Sequence, residues 1–120
     1  MSPTTVERRS HARFPHQFEI EGPQDENGTV ARMVASDLSL GGLHCSSSTD
    51  YPEMTRVAVR LILPNGGRVE TLDVEAVVVR RMELASSSGS KRFELGLFFT
   101  GLSDEARTRL ARFLARNSSN

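Results

Sequence analysis

The 120-residue chain has one cysteine, Cys45, one lysine, Lys91, one tyrosine, Tyr51, and no tryptophan. A single thiol excludes an internal disulfide and points to a reducing compartment. No apolar run approaches the ~20 residues of a spanning helix, and no basic region followed by an apolar one opens the chain. The expectation is a soluble, cytoplasmic protein without membrane insertion. Catalytic signatures are equally scarce. His11, His16 and His44 have no cysteine or acidic partners at metal-ligand spacing, and neither HExxH nor CxxC occurs. A Gly-Lys-Ser/Thr phosphate loop and a GxSxG nucleophile elbow are also missing. Cys45 reads as a small core residue on a strand. These absences argue against an enzyme, a metal site or a resident cofactor.

Net charge is zero, with 15 basic against 15 acidic residues, so the chain as a whole has no field for gathering a polyanion. Any anion recognition must be local. The basic residues are fourteen arginines and Lys91, and arginine is the planar fork that fits phosphates and guanine edges.

The length suits about one domain. Met1 to Val6 has little to bury and is predicted to be a loose tail. Phe14, Phe18 and Ile20 alternate, predicting a strand over 14–20 whose apolar face His16 shares. Gly22, Pro23, Asn27 and Gly28 mark a loop over 21–28. Strand composition returns over 29–36, carried by Val30 and Val34, and again over 43–47 after the interruption Asp37 to Gly42. A polar loop over 46–52 precedes a strand over 56–63. Pro64-Asn65-Gly66-Gly67 is then the clearest hairpin turn. The longest strand is expected over 69–82, with Leu72, Val74, Ala76 and Val78 on one face. Ser86 to Ser90 is a loop tip, and Phe93, Leu95, Leu97 and Phe99 alternate through a last strand over 92–100.

Only then does the period change. Ser103 is a good N-cap, Asp104 and Glu105 suit the positive end of a helix, and Arg112 and Arg116 suit the other. Ala106, Leu110, Phe113 and Leu114 form one apolar stripe that must cover something, most simply an open end of the sheet. Six or seven short strands followed by one amphipathic helix predict a mainly β fold, a small antiparallel barrel or sandwich capped by that helix.

Two stretches carry recognition chemistry. Arg8, Arg9 and Arg13 lie just ahead of the first strand, as either a solvated basic tail or half of an anion site. Asp37-Leu38-Ser39-Leu40-Gly41-Gly42 lies between strands, where ligand-binding loops are common. Taken alone it is an Asx-turn with glycines for positive φ. Taken together, the two complement a guanine nucleotide. An arginine fork grips the O6 and N7 acceptors of guanine, and a carboxylate such as Asp37 accepts from N1 and N2. Further arginines serve the phosphates. Ser39 offers a hydroxyl, and Gly41-Gly42 a close backbone approach.

Arg9-Ser10-His11-Ala12-Arg13 matches RxxxR, and Asp37 to Gly42 matches (D/N)xSxxG. In this order the pair resembles the signature of PilZ domains, which bind the bacterial second messenger cyclic di-GMP. Arg8, the ending Gly96-Leu97-Phe98-Phe99 and the helix after it extend the likeness over nearly the whole chain. The resemblance implies a six-stranded antiparallel β-barrel with a C-terminal α-helix over 9–117, preceded by a flexible tail over 1–8. It implies that Arg9 and Arg13 grip guanine and phosphate oxygens, Asp37 accepts from a base, Ser39 bonds the ligand nearby and Gly42 shapes the turn. An arginine at position 8 accompanies binding of two stacked ligand molecules. The segment up to Arg13 is expected to be mobile when empty and to order over the ligand, switching contacts with an unidentified effector protein; the chain is then a monomer or weak homodimer. Two further readings are a nucleotide-independent interaction module on the same barrel and a single-stranded nucleic-acid binder. The second needs exposed aromatic platforms, whereas these phenylalanines fall mostly on buried faces.

Overall fold

The computed structural model describes residues 12–85 and 89–117. Six strands, β1 (Phe18–Gln24), β2 (Val30–Ser36), β3 (Gly42–Ser47), β4 (Arg56–Asn65), β5 (Arg68–Ala85) and β6 (Lys91–Gly101), are followed by helix α1 (Asp104–Asn117). All neighbouring strands are antiparallel and close into a barrel in the order β1-β2-β3-β6-β5-β4. Of the two architectures left open by strand spacing, it is the barrel that forms. The tail over 1–8, together with Arg8 and Arg9, lies outside the described residues.

Alternation places the core. Leu72, Val74, Ala76 and Val78 of β5 and Phe93, Leu95, Leu97 and Phe99 of β6 all face inward, beside Ile20, Leu61 and Leu63. The stripe Ala106, Leu110, Phe113 and Leu114 of α1 joins the same cluster. Ser103 caps the helix by accepting from the backbone N–H of Ala106 at 3.1 Å. Arg109 ties α1 to β5, donating to Glu70 at 2.9 Å and to the Thr71 carbonyl at 3.1 Å.

Several boundaries differ from the sequence reading. The first strand begins at Phe18 rather than Phe14, because Pro15 has no N–H to give a ladder. Phe14 instead makes an isolated bridge to Leu38, and His16 is exposed although its ring meets Phe14 edge-on at 5.2 Å. Gly22-Pro23 does not end β1. The strand runs on to Gln24 through a register irregularity, and the turn comes later, where Asp25 accepts from the N–H groups of Asn27 and Thr29 and Gly28 takes φ 80°. On β2 the inward residues are Met33 and Ala35, and Val34 faces out. At the β4–β5 hairpin Gly66 and Gly67 adopt φ 60° and 84°, the positive values a tight turn requires. Strand β5 extends three residues past Met82, to Ala85, and bulges between Val78 and Arg80, beyond which β4 no longer pairs with it.

Cys45 is a core residue, its sulfur 3.9 Å from that of Met33. Burial, with a smaller contribution from Glu94, pushes its thiol from the ordinary value of 9.0 up to about 12. The raised value favours the protonated thiol of the folded state. Its stabilisation is complete below the unfolded-state value and declines as pH climbs from about 9 toward 12. Native protein at pH near 8 should therefore leave Cys45 unreacted with a soluble disulfide reagent, and denaturant should release the full signal. Rapid labelling of the native state would contradict this burial. For α1, Leu110→Ala should cost about 2–5 kcal/mol in urea unfolding, whereas the exposed Arg107→Ala should cost under about 0.5 kcal/mol.

Candidate functional site

The site assembles around the Phe14–Leu38 bridge. The Phe14 N–H donates to the Leu38 carbonyl at 2.8 Å, and the Leu38 N–H donates back at 3.0 Å. Both side chains are buried, and the Phe14 ring packs edge-on against Phe113 of α1 at 5.0 Å. The residues on either side are thereby brought together. Arg13 meets Asp37 in an ion pair of 2.9 Å, with both side chains about half exposed. Arg13 is thus docked against the β2–β3 loop.

The loop between β2 and β3 is held by its own polar groups. Asp37 sits at φ 57°, a conformation aspartate tolerates better than most residues. The Ser39 N–H donates to the Gly42 carbonyl at 2.9 Å, and the Ser39 hydroxyl accepts from the Gly41 N–H at 3.2 Å. The Gly41 carbonyl accepts from the Phe99 N–H at 2.9 Å, fastening the loop to β6.

The glycines act otherwise than the sequence reading had it. Neither Gly41 nor Gly42 has positive φ, and Gly42 is the first residue of β3 rather than the shaper of a turn. Its constraint is steric: a Cβ on Gly42 would lie 2.0 Å from the Leu97 carbonyl oxygen. Gly42 is what lets β3 lie against β6. A Cβ on Gly41 would meet nothing nearer than the Ser39 hydroxyl at 3.8 Å.

Arg13, Asp37, Ser39 and Gly42 line a shallow depression of about 170 Å³. The structure thus brings together four of the residues that the sequence grouped, and Gly41 stands beside them. Sequence reasoning missed the floor. His44 from β3, Val79 from β5 and Phe98 from β6 join the lining beside Leu43, Gly96 and Leu97, and Val79 and Phe98 are each 52% exposed. The signals were breaks in alternation: Val79 ends the run Val77-Val78-Val79 at the β5 bulge, and Phe98 puts a ring on the outward face of β6 between the buried Leu97 and Phe99. The depression therefore offers one cation, one carboxylate, a hydroxyl and an apolar floor. That combination fits a flat, polar-edged group such as a base. Among the described residues no group of His, Cys, Asp and Glu is placed to hold a metal ion, and no helix is long and apolar enough to cross a membrane.

A six-stranded closed barrel with a polar loop and an N-terminal arginine gathered at one depression defines the class of domain. The PilZ domain family model matches residues 7–116, and the chain belongs to that family. Among solved structures it is similar to the Bacillus subtilis inhibitor of motility MotI/DgrA, at 18% identity over 91% of this chain and 50% of that one, with a TM-score of 0.70. It is similar to the PilZ domain with c-di-GMP of YcgR from Escherichia coli, at 18% identity over 92% of this chain and 91% of that one (TM-score 0.64). A third is the MrkH–c-di-GMP complex of K. pneumonia, at 16% identity over 90% of this chain and 51% of that one (TM-score 0.67). The chain spans about half the length of MotI and MrkH, and nearly all of the YcgR domain. No curated protein matches the sequence.

The two loop glycines separate in a substitution test. Gly42→Ala should destabilise the barrel by about 1–3 kcal/mol, because β3 or β6 must shift. Gly41→Ala should stay within about 0.5 kcal/mol of the parent. Urea denaturation of the two variants reads the difference directly, and equal midpoints would remove the steric role given to Gly42.

Proposed function

We propose that this chain is a cyclic di-GMP receptor whose site is formed by Arg8, Arg9 and Arg13 on one side and Asp37, Ser39, Gly41 and Gly42 on the other. The observation that carries the reading is the Arg13–Asp37 pair, which sets a guanidinium and a carboxylate side by side over an apolar floor. Membership in the PilZ family, a family of receptor and adaptor domains, supports it. So does the presence of c-di-GMP in the similar YcgR and MrkH structures.

The depression of about 170 Å³ is small beside the ~300–1,000 Å³ of an enclosed small-molecule site. A dinucleotide would seat one base there and lie otherwise on the surface. Arginines from the preceding segment, Arg8 and Arg9, are then needed to close over the phosphates, or a second stacked ligand molecule is. Binding begins by opening the Arg13–Asp37 pair, since both groups turn to the guanine. The pair is exposed and screened, so separating it costs little, on the order of 0–1 kcal/mol. In this reading the chain works in the cytoplasm as a ligand-switched adaptor on an effector protein, with no metal or cofactor.

Titration calorimetry with cyclic di-GMP tests it. Arg13→Ala and Asp37→Ala should each lose about 1–3 kcal/mol, a tenfold to hundredfold weakening. The stoichiometry distinguishes one ligand molecule from a stacked pair. No heat with the parent chain, or one affinity for all three proteins, sinks the proposal.

A further inference from the structure

Among the described residues, four arginines and one carboxylate share a groove between the β4–β5 hairpin and α1, away from the Arg13–Asp37 depression. About 480 Å³ of open space is lined there by Arg68 from the hairpin and by Arg109, Arg112 and Arg116 from the helix. The groove contains one carboxylate, Glu70, and both its oxygens are taken: one accepts from Asn65 at 3.1 Å, the other from Arg109 at 2.9 Å. Arg68, Arg112 and Arg116 are exposed and make no ion pair among the described residues. Asp104 and Glu105 line the next depression along the helix, shared with Arg112, and pair with nothing there.

Arg112 and Arg116 stand four residues apart on one helix, where like charges repel by about 0.2–0.5 kcal/mol. The C-terminal end of the helix dipole relieves Arg116 only in part. A solvated helix face would account for the helical arginines alone. It does not account for Arg68 converging on them from a separate element across a concave surface.

We propose that this groove binds a short carboxylate-rich segment of a partner protein. Guanidinium forks match carboxylates two bonds at a time, and a concave wall of one sign focuses its field on an approaching anion. Val69, 66% exposed at the rim, adds an apolar contact, so acidic residues interleaved with aliphatic ones fit best. Nucleic acid fits less well. The chain as a whole is neutral, and the groove's one ring, Phe113, is 2% exposed and turned into the core, so it presents no stacking platform.

The groove also has a physical route to the depression. Phe113, between Arg112 and Arg116 in sequence, packs on Phe14, the residue next to Arg13. Control of the groove by a nucleotide rests on the function proposed above; the groove itself does not.

The test is fluorescence anisotropy of a labelled peptide of repeated Glu-Glu-Leu with the full chain, alone and with cyclic di-GMP. The expected result is saturable binding, weakened at least about tenfold by R112E/R116E and, separately, by Arg68→Glu. Arg92→Glu on the distant β6 should leave it unchanged. Equal binding by groove and control variants overturns the proposal, as does absence of binding by the parent. Tighter capture of oligothymidylate or of phosphatidylglycerol vesicles than of the peptide also overturns it. Calorimetry of R112E/R116E with cyclic di-GMP keeps the two proposals separate. Unchanged nucleotide heat with lost peptide binding supports the groove, whereas retained peptide binding with no nucleotide heat from the parent chain removes only the receptor reading.

Discussion

The end of the barrel that holds the candidate site depends on the reciprocal hydrogen bonds between Phe14 and Leu38. They lie where both residues are buried, so each backbone group would pay a desolvation cost of about 1–3 kcal/mol if left unpaired. That penalty makes the bridge stiff. It fixes the chain that carries Arg13 against the loop that carries Asp37, and it presses the Phe14 ring onto Phe113. One pair of residues thereby joins the N-terminal arginine segment, the β2–β3 loop and the C-terminal helix. None of these is a neighbour of the others in sequence.

Most of the barrel was legible because its strands bury one face each. The inward rows of β5 and β6 and the stripe on α1 could be named residue by residue, since alternation and the helical period carry that information directly. The misreadings cluster where a local rule met a tertiary demand. Gly22-Pro23 looks like a loop and instead bends a continuing strand. Val34 marks β2 as a strand by composition, and it pairs with Ser46 on the outer surface while the smaller Ala35 turns in. The register that pairs Ala35 with Phe18 and Cys45 decides which of the two faces inward.

The candidate site was legible in its polar half and hidden in its apolar half. Charged and glycine-bearing positions stand out in a strand-rich sequence, so Arg13, Asp37, Ser39 and Gly42 could be grouped before any coordinates. Val79 and Phe98 are ordinary strand residues in composition. They become a floor because a bulge in β5 and the closure of β6 onto β3 turn them to one side of the same loop. The basic groove was hidden for a related reason. Its four arginines come from a hairpin and a helix about forty residues apart in the chain, and a neutral total charge conceals them.

The sequence by itself determined which residue types are present for recognition and the order of strands and helix, because periodicity and turn chemistry are local properties. It also determined the family, through the two spaced motifs. Only the tertiary structure decided that Arg13 reaches Asp37, that Gly42 is required by the Leu97 carbonyl rather than by φ, and that Arg68 joins Arg112 and Arg116 beside Phe113. These are contacts between segments remote in sequence, set by how the barrel closes, and no local pattern of residues encodes the register of that closure.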